Sequence, residues 1–363
     1  MRVIQVMRPA AGGMREHVRL LSVQLVRRQW QVTIAAPELV EVASATHVPL
    51  DLSARPSVVA DVRAARRLRA VCSGAQLVHA HGYRAGWVCA LAAGRLPPVV
   101  MTAHNLPTIT ARWSLRWVAR KARAVIAVSE AVRMAVIACG ADRETIFVVP
   151  NGIDLARFAT LPARDAARRS LGIADGDRTI VSVGRLAWEK GFDALLRAAR
   201  LLRHEMPDVR VIIVGDGPER TRLEDLSARL RLASTVRFAG RVDDVLPWLR
   251  SADVVVAPSR SEGQGIAVLE AMAAGRPVVA SAVGGLRETV EHGVTGLLTR
   301  PGDPRDLASA LRRVLMDPHA LQAMGDAARR RALERYSLDA MVDAVERVYC
   351  QCVSSPSRAS GGA

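Results

Sequence analysis

Residues 252–291 read ADVVVAPSRSEGQGIAVLEAMAAGRPVVASAVGGLRETVE, and this stretch decides the fold class. It opens with the β-branched run 254–256, which suits a strand buried on both faces of a parallel sheet. A polar, glycine-bearing loop follows at 259–265, then a helical pattern over 266–274 and a second strand from Val278. The loop therefore lies at a carboxyl strand end, where open α/β sheets bind ligands.

Two glutamates of this stretch, Glu262 in the loop and Glu270 inside the helix, lie eight positions apart. Acids at these places can accept hydrogen bonds from sugar hydroxyls. The first helical amides, at Gly265, Ile266 and Ala267, attract phosphate. The pattern favours a sugar-nucleotide site, although an ordinary helix with two solvated glutamates has the same spacing.

The surrounding sequence favours the sugar-nucleotide interpretation. EGQGIAVLEAMAAGRPVVAS resembles the E-x7-E signature of retaining GT-B glycosyltransferases of family 4. Further segments of the family occur in the expected order: GGMREHV at 12–18, TAHN at 102–105, VVPNGID at 148–154, SVGRLAWEKGFDALLRAA at 182–199 and VIIVGDGPE at 211–219. The resemblance covers nearly the whole chain. It implies an α/β protein of GT-B fold, with two Rossmann-like β/α/β domains facing across a cleft.

The alternation of strand and helix patterns also predicts parallel sheets in two domains. Residues 1–158 are predicted to form the acceptor-binding domain, and residues 159–337 the sugar-nucleotide-binding domain. In GT-B folds the last helix, here about 338–350, returns to the first domain. Residues 353–363 are predicted to be a flexible tail.

Residue chemistry and the resemblance together suggest individual roles. Arg185 and Lys190, five apart across a loop, can clamp two phosphates, although surface cations are the plainer interpretation. The resemblance implies that Arg185 and Lys190 hold the departing diphosphate and that Glu270 binds the ribose hydroxyls. It also implies that Glu262 binds the donor-sugar hydroxyls near C3 and C4. The resemblance further implies that His104, at a strand end, contacts the transferred sugar. The alternative is that His104 is a core histidine whose hydrogen bonds are satisfied within the protein.

Backbone contacts to the donor are expected at several loops. The glycine pair after the first strand allows close approach to a ligand, although a plain tight turn would look the same. His79 and His81 are expected to be mainly structural, with the alternative that one of them lines the acceptor side. Gln264 departs from the commoner family pattern and leaves the donor sugar open. The expected donor-contacting residues, besides those named above, are Gly12, Gly13, Gly215, Arg241, Val242, Gly265, Ile266 and Ala267.

Composition limits the class of protein. The 363 residues, half of them apolar, allow two domains with good cores, and no apolar run reaches the roughly 20 residues of a membrane span. The N-terminus reads as a first strand rather than a signal peptide. Five cysteines without metal-ligand spacing suit a reducing cytosol. Asp175 and Asp177 read as a solvated turn, so no metal and no cofactor are expected beside the donor, which is most simply UDP- or GDP-linked.

Positive charge is concentrated in the first half of the chain. Residues 1–150 carry a net charge of +12, out of +16 for the whole chain. Residues 111–123, ARWSLRWVARKAR, combine Trp113 and Trp117 with five cations, which suits a helix on an anionic membrane, although the tryptophans can equally pack inward. No nucleic-acid-binding signature accompanies them.

The predicted function is retaining transfer of a sugar from a nucleotide-diphosphate-sugar to an acceptor hydroxyl, without metal. The acceptor is expected to be lipid-linked or a glycan, in cell-surface polysaccharide or glycolipid synthesis at the inner face of the cell membrane. Two alternatives remain: a GT-B-shaped sugar-nucleotide epimerase or hydrolase, and a non-catalytic, membrane-bound protein that binds nucleotide.

Overall fold

The structure is a computed structural model that describes residues 1–10, 12–53, 57–107 and 112–354. The chain forms two units: Met1–Gly152 together with the helix Leu338–Ser354, and Ile153–Ser337. The predicted boundary after residue 158 lies slightly beyond this division. Ile153 already belongs to the second unit, because its amide donates to the Tyr336 carbonyl at 2.9 Å.

The first unit is built on a seven-stranded parallel sheet in the order β3-β2-β1-β4-β5-β6-β7. Its strands are β1 Arg2–Met7, β2 Gln31–Ala36, β3 Thr46–Pro49, β4 Leu77–His81, β5 Val99–Ala103, β6 Ala124–Ala127 and β7 Ile146–Val148. Its helices before the boundary are α1 Gly13–Arg27, α2 Val58–Val71, α3 Gly82–Ala92, α4 Arg112–Lys121 and α5 Glu130–Ala138.

The second unit repeats the pattern with a six-stranded parallel sheet in the order β10-β9-β8-β11-β12-β13. Its strands are β8 Arg178–Val183, β9 Val209–Val214, β10 Val236–Gly240, β11 Val254–Ala257, β12 Val278–Ser281 and β13 Gly296–Thr299. Its helices are α6 Arg164–Ser170, α7 Phe192–Glu205, α8 Arg220–Arg229, α9 Leu246–Ser251, α10 Ile266–Ala273, α11 Leu286–Thr289, α12 Pro304–Leu315 and α13 Pro318–Arg335; α14 is Leu338–Ser354.

Each sheet is covered by helices on both faces, which explains the continuous apolar strands that the sequence shows. In the first unit, one face of the sheet packs with α2 to α5 and the other with α1 and α14. In the second unit, α7, α8 and α12 cover one face, and α9, α10, α11 and α13 the other. The prediction of a GT-B α/β fold with two parallel sheets is confirmed.

Two local predictions need correction. The edge strand β3 is absent from the prediction, because it is only four residues long, is partly exposed and ends in Pro49, so it carries no apolar alternation. Val353 and Ser354 continue α14 rather than beginning a tail. The rest of the predicted tail lies outside the described residues. Within the described residues, no helix combines the length and apolarity that crossing a bilayer requires.

Candidate active site

In the second unit the strand order reverses between β8 and β11. The chain runs outward from β8 through β9 to β10, then returns to the other side of β8 at β11. The loops that leave the carboxyl ends of these two central strands diverge, and open α/β sheets bind ligands at such a point. Arg185 and Lys190 follow β8, and Glu262 follows β11.

Lys190 and Glu262 meet at this point. The Lys190 ammonium donates a hydrogen bond to Glu262 Oε2 in an ion pair, and the two side chains are only 28% and 10% exposed. The Ser259 hydroxyl donates to the same carboxylate oxygen at 3.3 Å. A cation that can hold phosphate and an acid that can hold hydroxyls thus lie side by side, largely shielded from solvent.

A short turn brings Lys190 to this place. Residues Trp188–Lys190 form one turn of 3-10 helix, and Gly191 then adopts a left-handed conformation with φ of 67°. A Cβ on Gly191 would lie 2.0 Å from the Pro258 carbonyl oxygen, so only glycine lets the β8 loop approach β11 so closely. The Arg260 amide closes the contact by donating to the Glu189 carbonyl at 2.8 Å.

The Arg260 side chain fixes the two loops to each other. Its guanidinium donates two hydrogen bonds to the Asp193 carboxylate, at 2.7 and 2.8 Å, and one to the Trp188 carbonyl at 3.0 Å. The bonds to Arg260 hold the pKa of Asp193 below its usual value. Arg260 also lies 5.1 Å from the centroid of the Trp188 ring, whose remaining surface is exposed. Sequence reasoning missed Arg260 and Asp193: both lie inside the quoted segments, but no spacing pattern links them to each other.

Helix α10 begins beside Glu262 without a side-chain cap. Its first residue is Ile266, and Gly265 before it has φ of 87° and supplies no side chain. The amides of the first turn of any helix have no intrahelical partner, so the start of α10, including Ala267, can receive an anion. Glu270 lies one turn further on and is half-buried. Gln264 is 4% exposed.

The remaining predicted donor residues of the second unit lie at the same edge of the sheet. Gly215 follows β9, and a Cβ there would lie 2.0 Å from the Gly184 carbonyl oxygen, so this glycine is required by the close approach of the β8 loop. Arg241 and Val242 follow β10, which carries an irregularity just before its end. Arg185 and Arg241 have exposed side chains.

In the first unit the corresponding reversal lies between β1 and β4. Gly12 and Gly13 are exposed after β1, and Gly12 precedes α1 with φ of 70° and no side-chain cap. His81 ends β4, and His104 follows β5 and is half-buried. The predicted residues Gly12, Gly13 and His104 thus share the carboxyl edge of the first sheet.

A hydrogen-bonded network lies beneath this edge. His79 is fully buried, and its two ring nitrogens contact the Tyr349 hydroxyl at 2.5 Å and the Thr102 hydroxyl at 2.7 Å. His81 Nε2 lies 2.6 Å from Gln5 Oε1, and Gln5 Nε2 donates to the Tyr349 hydroxyl at 3.2 Å. His79 is therefore structural and anchors α14 to the sheet.

His17 is the member of this edge that sequence reasoning did not single out. It is 5% exposed on α1, and its ring lies 4.8 Å from the His104 ring, centroid to centroid. Burial lowers the pKa of His17 to about 4, with Asn151 acting in the opposite direction. Burial also lowers the pKa of His81 and of His104 well below the usual value. A histidine on the same helical face as Val18 and Leu21 was the signal available in the sequence.

Helix α4 has an apolar buried face and a basic exposed face. Leu115, Val118 and Ala119 are buried, and Trp117 packs against Trp87 with ring centroids 4.9 Å apart. Trp113 is instead 83% exposed, so the two tryptophans do not belong to one continuous buried face of the helix. The cations of the exposed face are Arg116, Arg120 and Lys121; Ala111 and the Arg112 side chain lie outside the described residues.

Two doubly wound α/β units, with ligand-binding geometry at the reversal of each sheet, are the architecture of GT-B glycosyltransferases. Two family models match the chain: Glycosyltransferase Family 4 over residues 11–157, and Glycosyl transferases group 1 over residues 163–331. The chain therefore belongs to this family and is a glycosyltransferase, and an epimerase is not favoured.

Relatives and solved structures agree with this assignment. The chain is 34% identical to a D-inositol 3-phosphate glycosyltransferase of Nocardia farcinica, over 87% of this chain and 79% of the relative. It is also 34% identical to the enzyme of that name in Kineococcus radiotolerans, over 87% and 85%. Anabaena HepE in complex with UDP has a TM-score of 0.83 at 25% identity, over 97% and 100%. Sucrose-phosphate synthase of Thermosynechococcus elongatus has a TM-score of 0.86 at 25% identity, over 97% and 99%.

Proposed function

We propose that the protein moves a sugar from a nucleotide-diphosphate-sugar to an acceptor hydroxyl with retention of anomeric configuration and without a metal ion. The observation that carries this proposal is the Lys190–Glu262 pair beside the uncapped start of α10. A sugar nucleotide carries two kinds of polar group, anionic phosphates and neutral hydroxyls, and this part of the second unit offers a matching group for each.

The donor roles divide by chemistry. Lys190 and Arg185 neutralise charge on the departing diphosphate, and the amides of Gly265, Ile266 and Ala267 bind the same anion at the helix start. Glu262 accepts hydrogen bonds from donor-sugar hydroxyls, and Glu270 from the ribose. With two cations and a helix start available, the diphosphate needs no Mg²⁺ to offset its charge. These roles stay proposals for each residue, as do those of Gly215, Arg241 and Val242.

The proposed transfer forms one bond and breaks one. The acceptor oxygen bonds to the anomeric carbon of the donor sugar on the face from which the bond to the phosphate oxygen breaks. The acceptor proton passes to the leaving phosphate, so no enzymic nucleophile is required. Glu262 binds hydroxyls rather than attacking carbon, which distinguishes this acid from the paired carboxylates of glycosidases.

The first unit is proposed to serve the acceptor and the transferred sugar. Gly12 and Gly13 offer backbone close to the start of α1, and His104 offers an imidazole at the same edge of the sheet. Burial keeps His104 neutral near pH 7, since its pKa is well below the usual value. A neutral imidazole can both donate to and accept from hydroxyl groups, which suits a sugar.

A UDP-linked donor is the first choice, because Anabaena HepE, with the same fold, is solved in complex with UDP; a GDP-linked donor is the second. The acceptor is proposed to be a lipid-linked sugar or a glycan, in cell-surface polysaccharide or glycolipid synthesis. Relatives named D-inositol 3-phosphate glycosyltransferases make that phosphorylated polyol a necessary member of any acceptor panel.

Helix α4 is proposed to bring the enzyme to the cytoplasmic face of an anionic membrane as a peripheral protein. Its exposed face combines Trp113, the kind of residue that enters the interfacial region, with the cations Arg116, Arg120 and Lys121. The net charge of +12 on residues 1–150 also favours attraction to an anionic membrane. No role in binding nucleic acid is proposed.

The proposal is tested by a thermal-shift and turnover screen of the purified, untagged protein. UDP-, GDP-, ADP- and dTDP-sugars are screened with EDTA present, and Glu270→Gln is compared with Glu189→Gln, an exposed acid of the β8 loop, as the control. We expect one nucleotide to raise Tm, to support transfer in EDTA, and to lose its effect in Glu270→Gln alone. If no nucleotide raises Tm, or if transfer stops in EDTA, the proposed donor site is wrong.

A further inference from the structure

Three histidines of the first unit converge although they come from different elements. His17 lies on α1, His81 ends β4 and His104 follows β5. One ring nitrogen from each lies within 4.8 Å of those of the other two. His81 Nδ1 and His104 Nε2 are 3.3 Å apart.

These separations suit a tetrahedral metal ion. With metal–nitrogen bonds of about 2.0–2.1 Å, two ligand nitrogens of a tetrahedron lie roughly 3.3 Å apart. The His81–His104 distance already equals that edge. The other separations, at most 4.8 Å, are longer than that edge, so binding would draw the His17 ring closer to the other two. Three imidazoles would leave a fourth position for water.

The surroundings fix which nitrogen of His81 is available. Gln5 donates through Nε2 to the Tyr349 hydroxyl, so its Oε1 faces His81 as an acceptor. His81 Nε2 must then carry the proton, and the lone pair is on Nδ1, which faces His104. A carbonyl oxygen that orients a ligand histidine through its other nitrogen is a regular feature of metal sites.

His17 supplies the independent observation. Both of its ring nitrogens are buried, and neither makes a well-aligned hydrogen bond to a described residue, although the Asn151 side chain acts on the ring as a hydrogen-bond partner that raises its pKa. An unpartnered buried polar group costs about 1–3 kcal/mol, and a metal bond would remove part of that cost. His79 differs, because both its nitrogens are engaged by hydroxyls. His17, His81 and His104 are therefore the candidate ligands, whereas both ring nitrogens of His79 are already engaged.

The same surroundings select the kind of cation. Among the described residues the group contains imidazoles alone, without a carboxylate or a thiolate. A hard cation such as Mg²⁺ or Ca²⁺ prefers charged oxygen ligands, whereas Zn²⁺ binds neutral imidazole through the nitrogen lone pair.

We propose that His17, His81 and His104 bind a transition-metal cation of the Zn²⁺ class, and that the bound cation inhibits sugar transfer by occupying His104. The inhibitory part rests on the role proposed above for His104. The site itself does not, because it depends only on the three side chains and on Gln5.

The binding test uses the full, untagged chain after EDTA treatment and removal of the chelator. Zn²⁺ binding is measured by equilibrium dialysis, and Co²⁺ is added separately to record the visible bands of a four-coordinate ion. We expect one Zn²⁺ per chain and an affinity at least 10-fold lower in His17→Gln and His81→Gln. Gln5→Leu should lower it by about 10–100-fold, the usual effect of removing the group that orients a ligand. His319→Gln, in an exposed histidine of α13, is the control.

Each outcome decides the proposal. Zn²⁺ binding that is absent, or that is unchanged in His17→Gln, overturns the site, as does an equal loss in the control. His17 makes no well-aligned hydrogen bond to a described residue, so its replacement is the variant least expected to disturb folding, and circular dichroism checks this. Inhibition is tested by titrating Zn²⁺ into the transfer assay. Zn²⁺ that binds without inhibiting overturns only the inhibitory part, and a protein that transfers no sugar but binds Zn²⁺ refutes the proposed function while retaining the site.

Discussion

Lys190 and Glu262 form an ion pair that joins the loop after β8 to the loop after β11, where the strand order of the second sheet reverses. The pair holds both side chains in place and offsets their charges in a shielded position. In the proposed donor complex, a diphosphate at Lys190 and a sugar at Glu262 would each replace one half of this interaction. Binding a donor therefore exchanges contacts rather than leaving a charge unpaired.

Replacing Glu262 by Gln should reduce transfer strongly and stability only modestly. Gln keeps the size of the side chain, but it removes the negative charge that pairs with Lys190 and that accepts sugar hydroxyls most strongly. Hydrogen bonds to charged groups contribute about 1.5–3 kcal/mol, so we expect kcat/KM to fall roughly 10- to 150-fold. Steady-state kinetics with the donor identified by the screen provide the measurement. Glu189→Gln, in the same loop, should keep near-normal kinetics; an equal fall in both variants would remove the special role of Glu262.

Replacing Asp193 by Asn should loosen the two loops of the candidate site. Asp193 holds the Arg260 guanidinium through two hydrogen bonds, and the two side chains are only 17% and 23% exposed. We expect the free energy of unfolding to fall by about 2 kcal/mol, and kcat/KM to fall because Arg260 no longer fixes the loops. Urea denaturation at pH 7 measures the first effect.

A matched control for that variant is Glu224→Gln. Glu224 pairs with Arg220 on α8, and these side chains are 43% and 34% exposed. Exposed pairs contribute at most about 1 kcal/mol, so this variant should change the free energy of unfolding little and kcat/KM not at all. Equal losses in the two variants would mean that the Asp193–Arg260 pair has no special place in the site.

The sequence predicted the elements of the second unit well because its strands are short apolar runs bounded by glycine and proline. Glu262, Lys190 and the start of α10 were singled out from their spacing together with the family resemblance, and the structure brings them to one edge of the sheet. The ion pair itself was not predicted. It depends on the close approach at Gly191, which is a property of three-dimensional packing rather than of spacing.

The first unit was predicted less completely. His104 was chosen because it ends a strand, yet His17 was not chosen, since one polar residue on an apolar helical face carries no spacing signal. Arg260 and Asp193 are far apart in sequence and no spacing pattern pairs them, so only the fold shows that they meet. Helix α4 was predicted, but the opposite environments of Trp113 and Trp117 were not, because periodicity alone does not decide which of two neighbours packs inward.

Acidification should destabilise the protein before any carboxylate is protonated. Burial lowers the pKa of His17 to about 4, whereas an unfolded histidine has a pKa of about 6.5. Below pH 6.5 the unfolded state therefore binds a proton that the folded state does not bind until about pH 4, and stability falls across this window. For His17 alone we expect a loss of roughly 2 kcal/mol at about pH 5, and His79, His81 and His104 add to it.

This pH dependence is measured by urea denaturation between about pH 7.5 and about pH 5, the range over which an unfolded histidine takes up its proton. His17→Asn should flatten the dependence, while His319→Gln on the surface should leave it unchanged. A free energy of unfolding that stays constant over the window would show that the histidines of the first unit are not buried in the neutral form.

Neutralising the exposed face of α4 should weaken binding to anionic vesicles. Each Lys or Arg near an anionic surface contributes about 1 kcal/mol, so changing Arg116, Arg120 and Lys121 to Gln should lower the affinity by roughly 100-fold. Trp113→Ala should lower the vesicle affinity further. It should also reduce the binding that persists at high salt, because the indole inserts at the membrane–water interface and salt does not screen that contact. Co-sedimentation with vesicles containing anionic lipid measures both effects. Equal binding to neutral vesicles would contradict the proposed membrane surface.

A control on the second unit changes three exposed arginines to Gln: Arg313, Arg330 and Arg335. It removes the same amount of charge as the α4 variant. If the membrane contact is specific to α4, this control should leave vesicle binding nearly unchanged.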